Sequence, residues 1–338
     1  MATRTRSTLT GAATCATLAL TLMGAGAATA ATPAAPTGTL RHTISSTETA
    51  AAGTTWSPAR MHAAVTNSFV DPDPADGNPP TDAPDTAVTT TSTSDTSLVG
   101  GTASPHVSES TPVPGFAAND HLGVVFFRSG GIDQRCTGNV VVSDSGDLVA
   151  TAGRCVSAIK DAFVTDLVFV PQYDGTAPKG VWPAAAVTVQ SQWVTGRQVD
   201  FDTAFFQVKA PVGAAAGATL SSTVGASGVR FAGQEDDDDY RSTGYALDGG
   251  HDGTKPVSIE STVEPNPWMN KDYAIEGIET DLRAGISGSP WVNTDDGSGD
   301  VERGMTTFAY HQFTHAAFGP QWTATLHATY RAAAAAAS

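Results

Sequence analysis

From about Thr111 onward the chain is a succession of short apolar runs: LGVVFFR (122–128), NVVVS (139–143), DLVATA (147–152), LVFVP (167–171), VTVQSQWV (187–194) and TAFFQV (203–208). The same texture continues in VSIEST (257–262), YAIEGIE (273–279), SPWVN (289–293) and GMTTFAY (304–310), with Gly, Asp, Asn and Pro between the runs. Many closely spaced runs rich in Val, Phe, Thr and Tyr, with no 3.6-residue period, predict an all-β sandwich or barrel. The period changes only at the end. Trp322, Leu326 and Tyr330 recur every fourth residue on an alanine-rich background, which predicts a terminal helix with one packed face. The alanines at 332–337 are expected to fray, so residues 332–338 read as a disordered tail.

Ahead of this lies a different composition. Residues 1–30 carry two arginines, an apolar stretch and Ala28-Thr29-Ala30, the layout of a secretory signal peptide with cleavage after Ala30. Residues 31–110, as in DPDPADGNPPTDAPDTAVTTTSTSDTS (71–97), have few aromatic or branched apolar residues with which to build a core. They read as a linker or a propeptide, and composition does not separate the two.

The 338 residues, 40% of them hydrophobic, suffice for one large core or two smaller ones. Apart from the signal segment, every apolar run is far shorter than the ~18 residues a membrane span needs. The formal charge is −16, and loss of residues 1–30 removes Arg4 and Arg6 and no acid, which moves it to −18. So acidic a surface argues against nucleic acid or an anionic membrane as partner. A secreted, extracellular protein is expected. Cys15 lies in the signal segment, and an exported chain with only Cys136 and Cys155 remaining is expected to form one disulfide.

Three fragments occur in a telling order: CTGNVVVSDSGDLVATAGRCV (136–156), VDFDTAFFQV (199–208) and DLRAGISGSPWV (281–292). Together with FVPQYDGTAPKGVWPAAAVTV (169–189) and the terminal helix, they resemble the trypsin-like, chymotrypsin-fold serine peptidases, in particular a secreted actinobacterial branch related to glutamyl endopeptidases. The resemblance spans residues 111–331. It implies two six-stranded antiparallel β-barrels with a C-terminal helix, and a peptide or protein as substrate or ligand. No cofactor and no metal are expected, and a monomer is.

In that family a Gly-x-Ser-Gly segment holds the nucleophile, which places Ser287 in that role within Gly285-Ile286-Ser287-Gly288. The flanking glycines permit a tight turn, so that the N–H groups of Gly285 and Ser287 would form an oxyanion hole. Ile286 departs from the Asp, Asn or Ser usual before the nucleophile. The strand beginning at DTAFFQV resembles the one that carries the orienting carboxylate, so Asp202 takes that role and Asp200 reads as a solvated loop charge.

The resemblance also sets the Cys136–Cys155 disulfide across the loop of the general base, whose position, just before the second cysteine, is occupied by Arg154. A general base must titrate near neutral pH and offer a lone pair. A guanidinium does neither. Arg154 therefore cannot be the base, and two structural roles remain open for it: pairing with Asp202, or extension to solvent. His121, His251, His311, His315 and His327 lie in the domain, none in a matching motif. By resemblance Asp281 marks the base of the specificity pocket, and Thr307, Phe308 and Ala309 the segment that hydrogen-bonds substrate; His311 and His315 are expected at the surface. The EDDDDY run (235–240) lacks the glycine-punctuated spacing of a calcium loop and reads as solvated acid.

The expected function is thus a trypsin-like serine endopeptidase homologue, inactive or severely impaired, that binds peptides. The alternatives are an active endopeptidase with a relocated base, and a noncatalytic extracellular interaction protein.

Overall fold

The computed structural model describes residues 38–66, 111–231, 239–262, 264–265, 274–293, 300–309 and 315–335. The first group forms β1 (Thr39–Thr43), α1 (Ser46–Thr55), α2 (Pro58–Ala63) and β2 (Val65–Thr66). The next forms β3 (Leu122–Ser129), β4 (Ile132–Val141), β5 (Leu148–Thr151), β6 (Thr165–Pro171), β7 (Trp182–Gln190), α3 (Ser191–Gly196), β8 (Ala204–Val208) and α4 (Leu220–Val224). The remainder forms β9 (Gly228–Val229), β10 (Asp239–Gly244), β11 (Val257–Thr262), β12 (Glu264–Pro265), β13 (Ile275–Glu279), β14 (Ser289–Asn293), β15 (Val301–Thr306), β16 (Ala316–Pro320) and α5 (Ala324–Ala334).

Strands β3, β4, β5, β8, β7 and β6 pair antiparallel in that order, and β6 returns to β3, which closes a six-stranded barrel. Closure leaves no open edge along that circuit. Strand alternation sends Val125, Phe127, Leu167 and Phe169 into the barrel core. The alternate residues Val124, Phe126, Val168 and Val170 point outward, yet they are fully buried in a second cluster.

That second cluster also holds Leu122, Tyr173 and Tyr245, and it takes Ala52, Trp56, Met61 and Ala64 from the stretch read as low-complexity linker or propeptide. Residues 38–66 are instead folded onto the barrel. Ser45 and Glu48 make a reciprocal capping box at the start of α1, and Pro58 opens α2 behind a Ser57 cap. Strand β1 pairs with residues 186–190 of β7, beyond the 182–183 segment that β6 occupies. Residues 67–110 lie outside the described residues, as do 1–37.

The second half consists of a five-stranded sheet, β11-β10-β14-β15-β9, and a three-stranded sheet, β12-β13-β16. A Phe308–Phe318 bridge joins them. Helix α5 packs Leu326, Tyr330 and Ala333 into the first barrel's core, with the Tyr330 and Trp322 rings edge-on to Phe205. The helix continues through Ala334 and Ala333 is buried, so the first of the terminal alanines are structural rather than a disordered tail. The run VTVQSQWV likewise breaks after Gln190, where α3 begins, and Trp193 is a helical residue.

Candidate active site

The disulfide between Cys136 on β4 and Cys155 forms as expected and ties down the 3-10 turn Gly153–Cys155 that follows β5. Arg154 sits in this turn. Asp202 ends a second 3-10 turn, Val199–Phe201, immediately before β8, the strand that pairs with β5. The β5–β8 pairing therefore brings the two residues together.

Asp202 is fully buried, and Arg154 surrounds its carboxylate with three donors. The Arg154 backbone N–H reaches Oδ1 at 2.7 Å, Nε reaches Oδ2 at 2.8 Å, and Nη2 reaches the same oxygen at 2.8 Å. The guanidinium also lies 5.7 Å from the Trp193 ring and 6.0 Å from the Phe308 ring. Trp193 is held in turn by Arg197 on its face at 3.8 Å and by its indole N–H on the Ser157 carbonyl at 3.2 Å. Of the two roles left open for Arg154, pairing with Asp202 is the one observed. A buried carboxylate needs such compensation, and a guanidinium that gives two N–H bonds to one of its oxygens, flanked by aromatic faces, supplies it with the Arg154 backbone N–H on the other.

Ser287 lies in the turn before β14, between Gly285 at φ +87° and Gly288 at φ +88°. Both positions require glycine. A Cβ on Gly285 would stand 2.3 Å from the Tyr245 carbonyl oxygen, and one on Gly288 would stand 2.2 Å from that of Thr137 and 2.5 Å from the Thr151 hydroxyl. The Gly288 contacts also seat the serine turn against the end of β5, which leads to Arg154. Thr137 serves as a hub: its N–H donates to the Ser287 carbonyl at 2.9 Å, its hydroxyl donates to the Gly285 carbonyl at 2.9 Å, and that hydroxyl accepts from the Tyr245 N–H at 2.9 Å.

The Ser287 hydroxyl donates to the Thr307 carbonyl at 3.2 Å, and Ser287 is only 2% exposed. Among the described residues, no histidine hydrogen-bonds Ser287 or Asp202. His121 is engaged with Asn139 and Asp300, His315 with Asp281, and His327 stacks on Phe231. His251 is exposed, and His311 lies outside the described residues. The N–H groups of Gly285 and Ser287 donate to no backbone carbonyl among the described residues, which leaves two donors side by side in this turn.

Several expectations change. Asp281 is not a pocket floor, because its side chain is 80% exposed and hydrogen-bonds the exposed His315. Asp200 is not a solvated charge: it is half-buried, its Oδ1 has no partner among the described residues, and burial pushes its carboxyl up to about 7. Ile286, the departure before the serine, is buried. The segment ahead of it is held instead by Asp248, whose Oδ2 accepts from the N–H groups of Arg283 at 2.7 Å and Ala284 at 2.9 Å. Thr307, Phe308 and Ala309 follow β15 beside Ser287 and Arg154, all three buried. Thr137, Trp193 and Asp248 carry no motif of their own, and only the fold shows their part in the site. Of the acidic run, residues 235–238 lie outside the described residues, and no cluster able to hold a metal occurs among the described ones.

No protein-family model matches the sequence, and neither does any curated protein. Solved structures do match. The protease Anisep of Arthrobacter nicotinovorans is 32% identical, with 67% of this chain and 98% of that one aligned at a TM-score of 0.58. A thermostable serine protease, AL20, from an extremophilic microorganism is 27% identical, over 65% of this chain and 99% of that one, again at a TM-score of 0.58. A Glu endopeptidase shares the fold at 18% identity and a TM-score of 0.50, over 66% of this chain and 96% of that one. With a six-stranded barrel, a glycine-flanked serine turn and a relative of this identity matched over nearly its whole length, the chain belongs to the trypsin-like, chymotrypsin-fold serine peptidase family.

Proposed function

We propose that this chain is a secreted serine endopeptidase homologue in which peptide-bond hydrolysis is lost or severely impaired, with Arg154 standing where the general base belongs and peptides as its ligands. The observation that carries the reading is the Arg154–Asp202 pair. The carboxylate that would orient a base is taken up by Arg154, its guanidinium on Oδ2 and its backbone N–H on Oδ1, while the Ser287 hydroxyl is directed at the Thr307 carbonyl.

The chemistry follows from proton accounting. Attack by Ser287 on a carbonyl requires that its proton leave as the C–O bond forms, and that a proton reach the departing amine. A guanidinium has no lone pair to accept the first, and the Thr307 carbonyl is too weak a base to do so. What remains is the pair of N–H donors at Gly285 and Ser287. Family members deprived of one triad residue keep roughly 10³–10⁴-fold over water through such donors and substrate binding.

The direct test is covalent labelling with a fluorophosphonate, which reports an activated serine. The reading predicts no labelling of Ser287 on the timescale on which an active family member reacts completely. Labelling at that member's rate, abolished by Ser287→Ala, would contradict it and favour an active enzyme with another proton acceptor.

A further inference from the structure

The first barrel closes without residues 38–66, yet its outward-facing Val124, Phe126, Val168 and Val170 are buried in a cluster to which Ala52, Trp56, Met61 and Ala64 of that segment contribute beside Leu122, Tyr173 and Tyr245. We infer that residues 38–66 are a docked pro-segment: a separable peptide ligand of the barrel's outer face, anchored by Trp56, Arg60 and Met61, that stays bound after the chain is cut within 67–110. The inference is independent of whether the chain hydrolyses peptides.

Two modes of recognition meet in the docked segment. Strand β1 adds to the edge of β7 over five residue pairs, and the Ser191 N–H and Ala185 carbonyl extend the ladder to Gly38 at 2.5 Å and Ile44 at 2.9 Å. This is strand addition, in which backbone hydrogen bonds supply much of the affinity. Beyond α1, the Trp56 ring lies against Phe126 with centroids 5.3 Å apart, and its indole N–H donates to the Asp166 carbonyl at 2.7 Å. Arg60 stacks 4.1 Å over Trp56 and grips both oxygens of Asp133, at 2.6 and 2.7 Å, with a further bond to Asp166 at 3.1 Å. A buried aromatic and a forked arginine are the residue types that dominate protein–protein interfaces.

Other features mark the segment as a bound piece rather than part of the barrel's own core. Open clefts of about 460 and 400 Å³ flank α1, so solvent reaches in along both sides of its contact with the barrel. The disulfide lies wholly within the barrel, so the only covalent tie is the stretch 67–110.

The experiment places a site-specific endopeptidase sequence within 71–97 of the full chain, cuts it, and follows both pieces by size-exclusion chromatography at about 1 µM, a concentration that discriminates sub-micromolar from weaker binding. The N-terminal piece is expected to co-elute with the barrel. Trp56→Ala, and separately Arg60→Ala, should weaken the nicked complex about 30-fold or more, as hot-spot residues do, and release the piece. The same substitutions in the uncut chain should leave the piece docked, because the tether keeps its effective concentration near ~1 mM. The far-UV circular dichroism of the barrel should survive release. Dissociation of the nicked wild type, retention by both nicked variants, or unfolding of the barrel on release would each overturn the inference.

Discussion

Arg154 and Asp202 form a closed pair: one arginine supplies three N–H donors, at 2.7, 2.8 and 2.8 Å, to one fully buried carboxylate. Desolvating two charges is costly, and the pair offsets that cost only while both members are present. Arg154→Ala leaves Asp202 charged and buried with only its backbone donor, and should lower stability by about 3–5 kcal/mol. Arg154→Ala combined with Asp202→Asn should recover most of that loss. Urea denaturation of the single and double variants checks this, and an additive result would show that the two side chains are not coupled.

The serine turn depends on its glycines. At φ +88° with Thr137 O only 2.2 Å from an added Cβ, Gly288→Ala must move either its own turn or the β4 backbone. The expected cost exceeds the ~1–3 kcal/mol of ordinary backbone strain, because clash and conformation add. Thermal unfolding should show a larger loss than Gly217→Ala, which also has positive φ but open space around it.

Glu302 on β15 is wholly buried, and burial raises its carboxyl well above the ordinary value despite a hydrogen bond from the Asn139 amide at 2.8 Å. Its Oε1 has no partner among the described residues. The folded state therefore binds this proton more tightly than the unfolded chain. The resulting stability is fully present below the unfolded value of ~4.3 and is lost as pH rises toward the folded value. Glu302→Gln, which keeps the shape and cannot ionise, should flatten this part of the stability–pH profile and raise stability at neutral pH. The midpoint of urea denaturation at pH 4.5 and 7.5 measures both.

The Cys136–Cys155 bridge closes a loop of about the size for which cross-linking contributes ~3 kcal/mol. Replacing both cysteines by Ala should cost about that much. It should also loosen the turn that presents Arg154, seen as faster amide exchange at residues 153–155.

How far the sequence reveals all this depends on where the physical signal is local. The strand runs and the disulfide are legible because each is marked by a short pattern with few competing readings. Residues 38–66 are not, because Trp56 and Met61 are the only large apolar side chains they bury and composition averages them away. Local signals were nonetheless present: the Ser45–Glu48 capping box, Ser57-Pro58 at a helix start, and above all LGVVFFR and LVFVP, continuous apolar runs instead of the alternation a half-solvated strand would show. Strands buried on both faces require a cover, and here the preceding segment supplies it together with Tyr173 and Tyr245. The exposure of Asp281 and the burial of Asp200 were beyond sequence reasoning because each depends on packing between turns distant in the chain.

The most direct measurement is hydrolysis of casein and of a peptide library by the wild type, Arg154→His and Ser287→Ala side by side. If Arg154 is what holds the chemistry off, the wild type should stay near the Ser287→Ala background. Arg154→His should then rise above it by about 10²–10⁴-fold, the contribution of a positioned general base. Wild-type turnover at ordinary peptidase rates, roughly 1–10³ per second, that disappears in Ser287→Ala would contradict the account.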